Sequence, residues 1–353
     1  MAKRFFIQWD STNDCNLKCS HCYHNREGKE HAKHSQGRNL MTFEEVKNMI
    51  DDLEYTSKRW NMIPRFQISG GEPTMRKDLM KILDYTKKLN METLLLTNGT
   101  LITLKKAKEL YKRGIKRLQI SIDGSKQMHN TIRKKDYAYD KAMKGINNCS
   151  NAGILVTVSM TLMQSNKEDL EDVVVNSMKA GAKIVGFQSY VPDSKLGLKD
   201  PEFIGAKETY DIFKKIRELR KKYDGKIKVL ETEVLWQMMQ GDTKLKQEAR
   251  RTDKFLSGCS AGFLGVSVLS DGTIYPCRRL PISLGNIKEI KLVDLMVNNK
   301  VLKNLRNFDK IKEKGCCEDV NYCRGCRAIA YAVTGDYMAK DPMCFKQYVK
   351  SEC

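Results

Sequence analysis

Short apolar runs alternate with amphipathic stretches along the first two thirds of the chain. Phe5–Trp9, Arg65–Ser69, Thr93–Leu96, Arg117–Ile122, Ile154–Thr161 and Ile184–Gln188 are compact apolar runs that read as strands. Between them, Asp78–Leu89, Leu104–Arg113, Tyr139–Ala152, Lys167–Ala180 and Lys207–Lys222 read as helices. An earlier helix opens at Thr42-Phe43-Glu44-Glu45, where Thr42 and Glu45 have the spacing of a capping box. Strand and helix follow each other roughly every 25–30 residues, the rhythm of βα units around a parallel sheet. Six such units are too few to close an eight-stranded barrel. The expected class is α/β, a partial (β/α)6 barrel.

The rhythm changes from Lys254. Phe263–Leu269, an Asp271-Gly272 turn and Thr273–Cys277 read as a β-hairpin, and Lys291–Asn307 reads as one helix. Two domains are expected, residues 1–235 as the barrel and 236–353 as a cysteine-rich domain containing the hairpin.

With 353 residues, 41% hydrophobic and 30% charged, the chain has the composition of a folded protein. Sixty-three Lys and Arg against 43 Asp and Glu leave a net charge of +20. That excess suits an acidic substrate, nucleic acid, an electron donor with an acidic face, or solubility alone. No RRM or KH motif is visible and the basic residues are scattered, which weighs against nucleic acid. No apolar run approaches the roughly 18–20 residues of a membrane span, and the N-terminus turns polar too soon for a signal peptide. A cytoplasmic location is expected.

The twelve cysteines carry more information, because grouped cysteines in a reducing compartment read as metal ligands or catalytic thiols. Cys15, Cys19 and Cys22 follow the first strand at spacings of three and two intervening residues. Three thiolates on one loop suit three irons of a cubane, with the fourth iron open to a non-protein ligand. Zinc completed by His21 or His24 is the alternative. His31 and His34 lie in a polar loop, Lys29–Arg38, and read as solvated. In βα folds the chemistry gathers at the C-terminal ends of the strands. There the chain places Gly70-Gly71-Glu72-Pro73, Thr97-Asn98-Gly99, Ser121-Ile122-Asp123-Gly124 and Gln188-Ser189-Tyr190. Gly70 and Gly71 lack Cβ atoms and would let backbone approach a ligand, while Glu72 offers an acceptor. Cys149, at a helix end, reads as a small buried residue.

Together these motifs resemble the radical S-adenosylmethionine (SAM) superfamily, over roughly residues 5 to 230. The resemblance rests on Cys-x3-Cys-x2-Cys followed by Tyr23, then Gly-Gly-Glu-Pro, Thr-Asn-Gly and Ser-Ile-Asp-Gly. It implies a [4Fe–4S] cluster on Cys15, Cys19 and Cys22, whose open iron binds SAM. One electron would then cleave SAM to methionine and a 5′-deoxyadenosyl radical. It implies a cofactor-binding set of Tyr23, Gly70, Gly71, Glu72, Pro73, Asn98, Ser121, Asp123 and Arg133, with the Gly-Gly-Glu-Pro loop on the methionine amine.

The C-terminal cysteines resemble the SPASM extension of that superfamily, which carries auxiliary iron–sulfur clusters. The candidates are Cys259, Cys277, Cys316, Cys317, Cys323, Cys326 and Cys344. The first Cys-x2-Cys of the pattern is incomplete, since Lys314 stands three residues before Cys317; Cys316 is the substitute. By resemblance Cys259, Cys277 and Cys326 share one cluster, and Cys316 or Cys317, Cys323 and Cys344 another. One or two auxiliary [4Fe–4S] clusters fit, a zinc ribbon is the alternative, and Cys353 is expected to be unliganded.

The leading function by this resemblance is oxidation or cross-linking of a peptide or protein. The runner-up is side-chain modification of a tetrapyrrole in haem synthesis, whose anionic small-molecule substrate would suit the charge. RNA modification and non-enzymatic electron transfer are weaker. A flavodoxin- or ferredoxin-type electron donor is expected. The first strand begins at Phe5, which is expected to leave no room for a leader-binding domain, so leader recognition of a peptide substrate would need a separate leader-binding protein or the basic surface.

Overall fold

The computed structural model describes residues 3–24, 40–231, 233–239, 244, 247, 256–313, 315 and 318–349. The His31 and His34 loop, Lys314, Cys316, Cys317 and Cys353 lie outside the described residues.

Strand β1 (Arg4–Asp10) buries Phe5, Ile7 and Trp9 at alternate positions, as the two-residue period of a strand requires. The other five expected strands are present as β2 (Ile63–Ser69), β3 (Glu92–Thr97), β4 (Arg117–Ser121), β5 (Leu155–Leu162) and β6 (Ile184–Ser189). A short seventh strand, β7 (Lys228–Leu230), follows. The hairpin forms as β8 (Gly265–Val268) and β9 (Ile274–Tyr275). All nine lie in one sheet of order β7-β6-β5-β4-β3-β2-β1-β8-β9, parallel except for the last pair.

The hairpin of the C-terminal part extends the parallel sheet: β8 pairs in parallel with β1, placing Trp9 opposite Val268. Glycine is required at 265 because a Cβ there would lie 2.1 Å from the Phe6 carbonyl oxygen. The apolar core likewise runs from Phe5 to Phe345 without a break between the two halves.

Helix α1 (Phe43–Arg59) starts where the capping box predicts. The Thr42 N–H donates to the Glu45 carboxylate at 2.7 Å, and the Glu45 N–H donates to the Thr42 hydroxyl at 3.3 Å. Its buried stripe is Val46, Met49, Ile50 and Leu53, each side chain worth about 1.5–3 kcal/mol on burial. Helices α2 (Leu79–Lys88), α3 (Leu104–Lys112), α4 (Lys126–Arg133), α5 (Ala138–Asn151), α6 (Leu170–Lys179) and α7 (Ala206–Lys222) follow the strands. The helix expected over Lys291–Asn307 is two helices, α8 (Leu292–Asn298) and α9 (Lys300–Leu305). Asn299 breaks it: its backbone is extended, and its side-chain oxygen accepts from the N–H groups of Val301 and Leu302. Helices α10 (Phe308–Glu313), α11 (Arg327–Thr334) and α12 (Lys346–Val349) complete the chain. Among the described residues no helix is long and apolar enough to cross a membrane.

Candidate active site

The C-terminal ends of β1 to β6 open on a cavity of about 440 Å³. Cys15, Cys19, Cys22, Tyr23, Gly70, Gly71, Asn98, Ser121 and Arg133 all line it. Glu72, Pro73 and Asp123 do not, and each is buried behind the wall.

The cysteine loop is held by continuing the β1–β2 pairing past the ends of the strands. Ser11 N–H donates to Ser69 O at 2.8 Å, Gly71 N–H to Thr12 O at 2.6 Å and Glu72 N–H to Asp14 O at 2.7 Å. A Cβ on Gly71 would lie 2.2 Å from the Asp14 carbonyl oxygen, and one on Gly70 would lie 2.6 Å from that of Thr12. The backbone of the cysteine loop approaches both glycines closely, and both also line the cavity. Gly71→Val should therefore displace the thiols, and reconstituted protein should lose absorbance of the N-terminal cluster as well as SAM binding. Full cluster absorbance in that variant would contradict the packing argument.

Glu72 is a tie between loops. Its Oε1 accepts from the Thr74 N–H, the Thr74 hydroxyl and the Thr97 hydroxyl at 3.1, 2.6 and 2.7 Å, and Oε2 accepts from the Asn98 N–H at 2.8 Å. Pro73 opens a single 3-10 turn, Pro73–Met75, where its missing N–H costs nothing. Asn98 reaches the cysteine loop itself, donating to Asn16 Oδ1 at 2.9 Å with its Nδ2 3.9 Å from Cys15 Sγ. Arg76, which the sequence reading passed over, locks three segments. It donates to the Ser11 and Met41 carbonyls at 2.6 and 2.7 Å, pairs with Asp78 at 2.6 Å and lies over the Trp9 ring.

Behind Ser121 sits a buried ion pair. Arg133, at the end of α4, places Nη2 2.5 Å from Asp123 Oδ2 and Nη1 3.5 Å from Cys19 Sγ. Burial alone would raise the Asp123 carboxyl, but Arg133, helped by His21 and His129, brings it down to about 2. His129 accepts the Asp123 N–H on Nδ1 at 3.1 Å, and burial together with Arg133 lowers it to about 3, so it stays neutral. Tyr23 is held from the other side, its hydroxyl 3.4 Å from Asp10, whose carboxylate also takes the Ser69 hydroxyl at 2.8 Å and faces His24 at 3.3 Å.

The turn that follows β9 reaches the same cavity. Cys277 begins a tight turn closed by the Leu280 N–H on its carbonyl at 2.8 Å, with Arg278 and Arg279 at the tip; both arginines line the cavity. Arg279 donates to Ser189 O at 2.7 Å, and the charges of Cys326, Glu233, Cys277 and Cys259 together hold its proton more tightly. Cys326 caps α11 and its N–H donates to Asp341 Oδ2 at 2.6 Å, while the Cys344 N–H donates to Asp341 O at 3.0 Å. Cys323 Sγ lies 3.6 Å from Val234 O. Cys149 is fully buried in α5 and burial pushes its thiol up to about 12, as a core residue requires. Among the described residues no three His, Cys, Asp or Glu side chains converge on a single ion. Thiols at the N-terminal site instead border an open volume and are supplied with N–H donors from Arg133, Leu17 and Asn98, a setting that fits sulfur bound to iron.

Residues 9–175 match the family model of the radical SAM superfamily, and residues 259–327 match that of the SPASM iron–sulfur cluster-binding domain. The chain belongs to the radical SAM superfamily. It is an enzyme that uses a [4Fe–4S] cluster with SAM, and its SPASM domain carries auxiliary clusters. Among curated relatives it is 29% identical to the AdoMet-dependent heme synthase of Methanosarcina barkeri, over 96% of this chain and 95% of that protein. It is 24% identical to the mycofactocin maturase MftC of Mycolicibacterium smegmatis, over 96% of this chain and 82% of that protein. The fold matches SAM-bound SuiB of Streptococcus suis with a TM-score of 0.75 at 16% identity, over 97% of this chain and 77% of that one. Radical SAM architecture thus accounts for the parallel sheet, the cysteine loop and the cavity that the three N-terminal thiols line.

Proposed function

We propose that this radical SAM enzyme oxidises a carboxylate-bearing side chain of a tetrapyrrole. The observation that carries the reading is the cavity wall, which among the described residues holds Arg133, Arg278 and Arg279 and no aspartate or glutamate. A cavity with several guanidinium groups and no carboxylate on its wall favours an anionic substrate. The relatives support it: the haem synthase exceeds the maturase in identity and in the share of its own length that is matched. The sequence alone put a peptide first and a tetrapyrrole second; these observations reverse that order.

Cys15, Cys19 and Cys22 would hold the SAM-binding cluster. Cys259, Cys277 and Cys326 would hold one auxiliary cluster, and Cys323 and Cys344, with Cys316 or Cys317, another in the unit formed by residues 236–353. With these bound, the cofactors supply a 5′-deoxyadenosyl radical that takes one hydrogen atom from the side chain, and an acceptor for the electron the substrate then gives up. The chain's own part is placement. Gly70, Asn98, Ser121 and Tyr23 border the space for SAM, and Arg279 stands between the cavity and the auxiliary thiols. A flavodoxin- or ferredoxin-type donor suits the +20 surface.

A substrate panel tests the reading. Reduced, reconstituted enzyme with SAM should release 5′-deoxyadenosine well above background with a carboxylated iron porphyrin, and not with leader-bearing peptides or tRNA. Stimulation by a peptide alone would restore the peptide reading.

A further inference from the structure

Three arginines line the cavity, and their surroundings differ. Arg133 is engaged by Asp123 at 2.5 Å and Cys19 at 3.5 Å. Arg279 is engaged by the Ser189 carbonyl at 2.7 Å and lies among Glu233 and three thiols. Arg278 lies 5.7 Å from the centre of the Tyr23 ring, interacts with the Tyr23 phenol and is only half-buried. The neighbouring carboxylate, Asp10, is held by Ser69, Tyr23 and His24, and the Arg278 charge acts on it from beyond them. A guanidinium has five N–H donors in a rigid fork, so one resting on a tyrosine still has a face to offer.

The turn that carries it is stiff. Cys277 to Leu280 close the turn, Leu280 is fully buried, and Pro276 and Pro281 flank it with fixed φ. Its two central residues diverge: Arg279 goes to the Ser189 carbonyl at the end of β6, and Arg278 goes to Tyr23 beside the N-terminal cysteines. We infer that Arg278 is the specificity-determining residue, pairing with a substrate carboxylate at the Tyr23 end of the cavity. This rests on the proposal of a carboxylated substrate. Its pairing would fix one end of the substrate against the site where SAM binds, while Arg279 keeps the opposite wall in place.

The test compares a carboxylated iron porphyrin with its methyl ester, titrated by absorbance into the anaerobic, cluster-loaded enzyme. Wild type should bind the acid more tightly. Arg278→Gln should lose about ten- to a hundredfold in affinity for the acid and little for the ester, as expected for a lost charge-assisted pair. Arg278→Lys should recover part of the preference, and cluster absorbance in both variants reports that the site is intact. In turnover the Gln variant should raise KM more than it lowers kcat. If wild type prefers the acid and Arg278→Gln keeps the same preference, the assignment of Arg278 is overturned and the tetrapyrrole reading stands. If wild type binds acid and ester alike, or neither, the tetrapyrrole reading itself falls.

Discussion

Replacing Cys15, Cys19 and Cys22 together by Ala should abolish 5′-deoxyadenosine formation while leaving iron bound through the C-terminal cysteines. The three thiols share one loop and one cavity, and that loop is pinned by backbone bonds to the Gly-Gly-Glu-Pro segment rather than by the thiols themselves. The loop should therefore keep its course without them. Iron content should fall by one cluster's worth, and circular dichroism should be unchanged. SAM cleavage at the wild-type rate in the triple variant would mean that the chemistry lies elsewhere.

The largest stability effect should come from Asp123→Asn. Asp123 and the Arg133 side chain are both buried and lie in 2.5 Å contact. Removing one charge strands the other, which typically costs about 3–5 kcal/mol. Denaturant unfolding of the cluster-free protein should show that loss, and an unchanged midpoint would contradict it. The sign of the pH dependence follows from the depressed carboxyl. Its folded value of about 2 lies below the ordinary value, so its contribution is complete above the ordinary carboxylate range and is lost as pH falls toward about 2. Arg133→Met combined with Asp123→Asn should recover part of the loss, because the uncharged pair leaves no buried charge.

The strands and most of the helices were legible in the sequence because period and capping are local signals. Thr42 and Glu45 fold as a capping box within four residues of each other. The pairing of β8 with β1 was not legible, because it joins Phe6 to Gly265 across most of the chain and depends on backbone approach. Asn299 breaks a helix where only its own cap geometry shows the break. At the site, the motif residues gathered as expected, but their roles were hidden. Glycines in Gly70-Gly71 were legible as points of close approach, yet only the structure identifies the Asp14 and Thr12 carbonyls as what approaches. Glu72 and Asp123 were legible as acceptors at strand ends, but only the structure shows the ties that they make to Thr97, Asn98 and Arg133. Arg278 and Arg279 carried no motif at all; a Pro-Cys-Arg-Arg-Leu-Pro turn beside a thiol is the signal that could have found them.

One measurement bears most directly on the central claim, that the radical made from SAM acts on a side chain of a carboxylated tetrapyrrole. An iron porphyrin carrying deuterium on the carbons of its carboxylate side chains is incubated anaerobically with SAM, reductant and enzyme, and the products are followed by mass spectrometry. The account predicts deuterium in 5′-deoxyadenosine, formed in proportion to a change in the porphyrin's mass. Unlabelled 5′-deoxyadenosine with the porphyrin returned intact would contradict it.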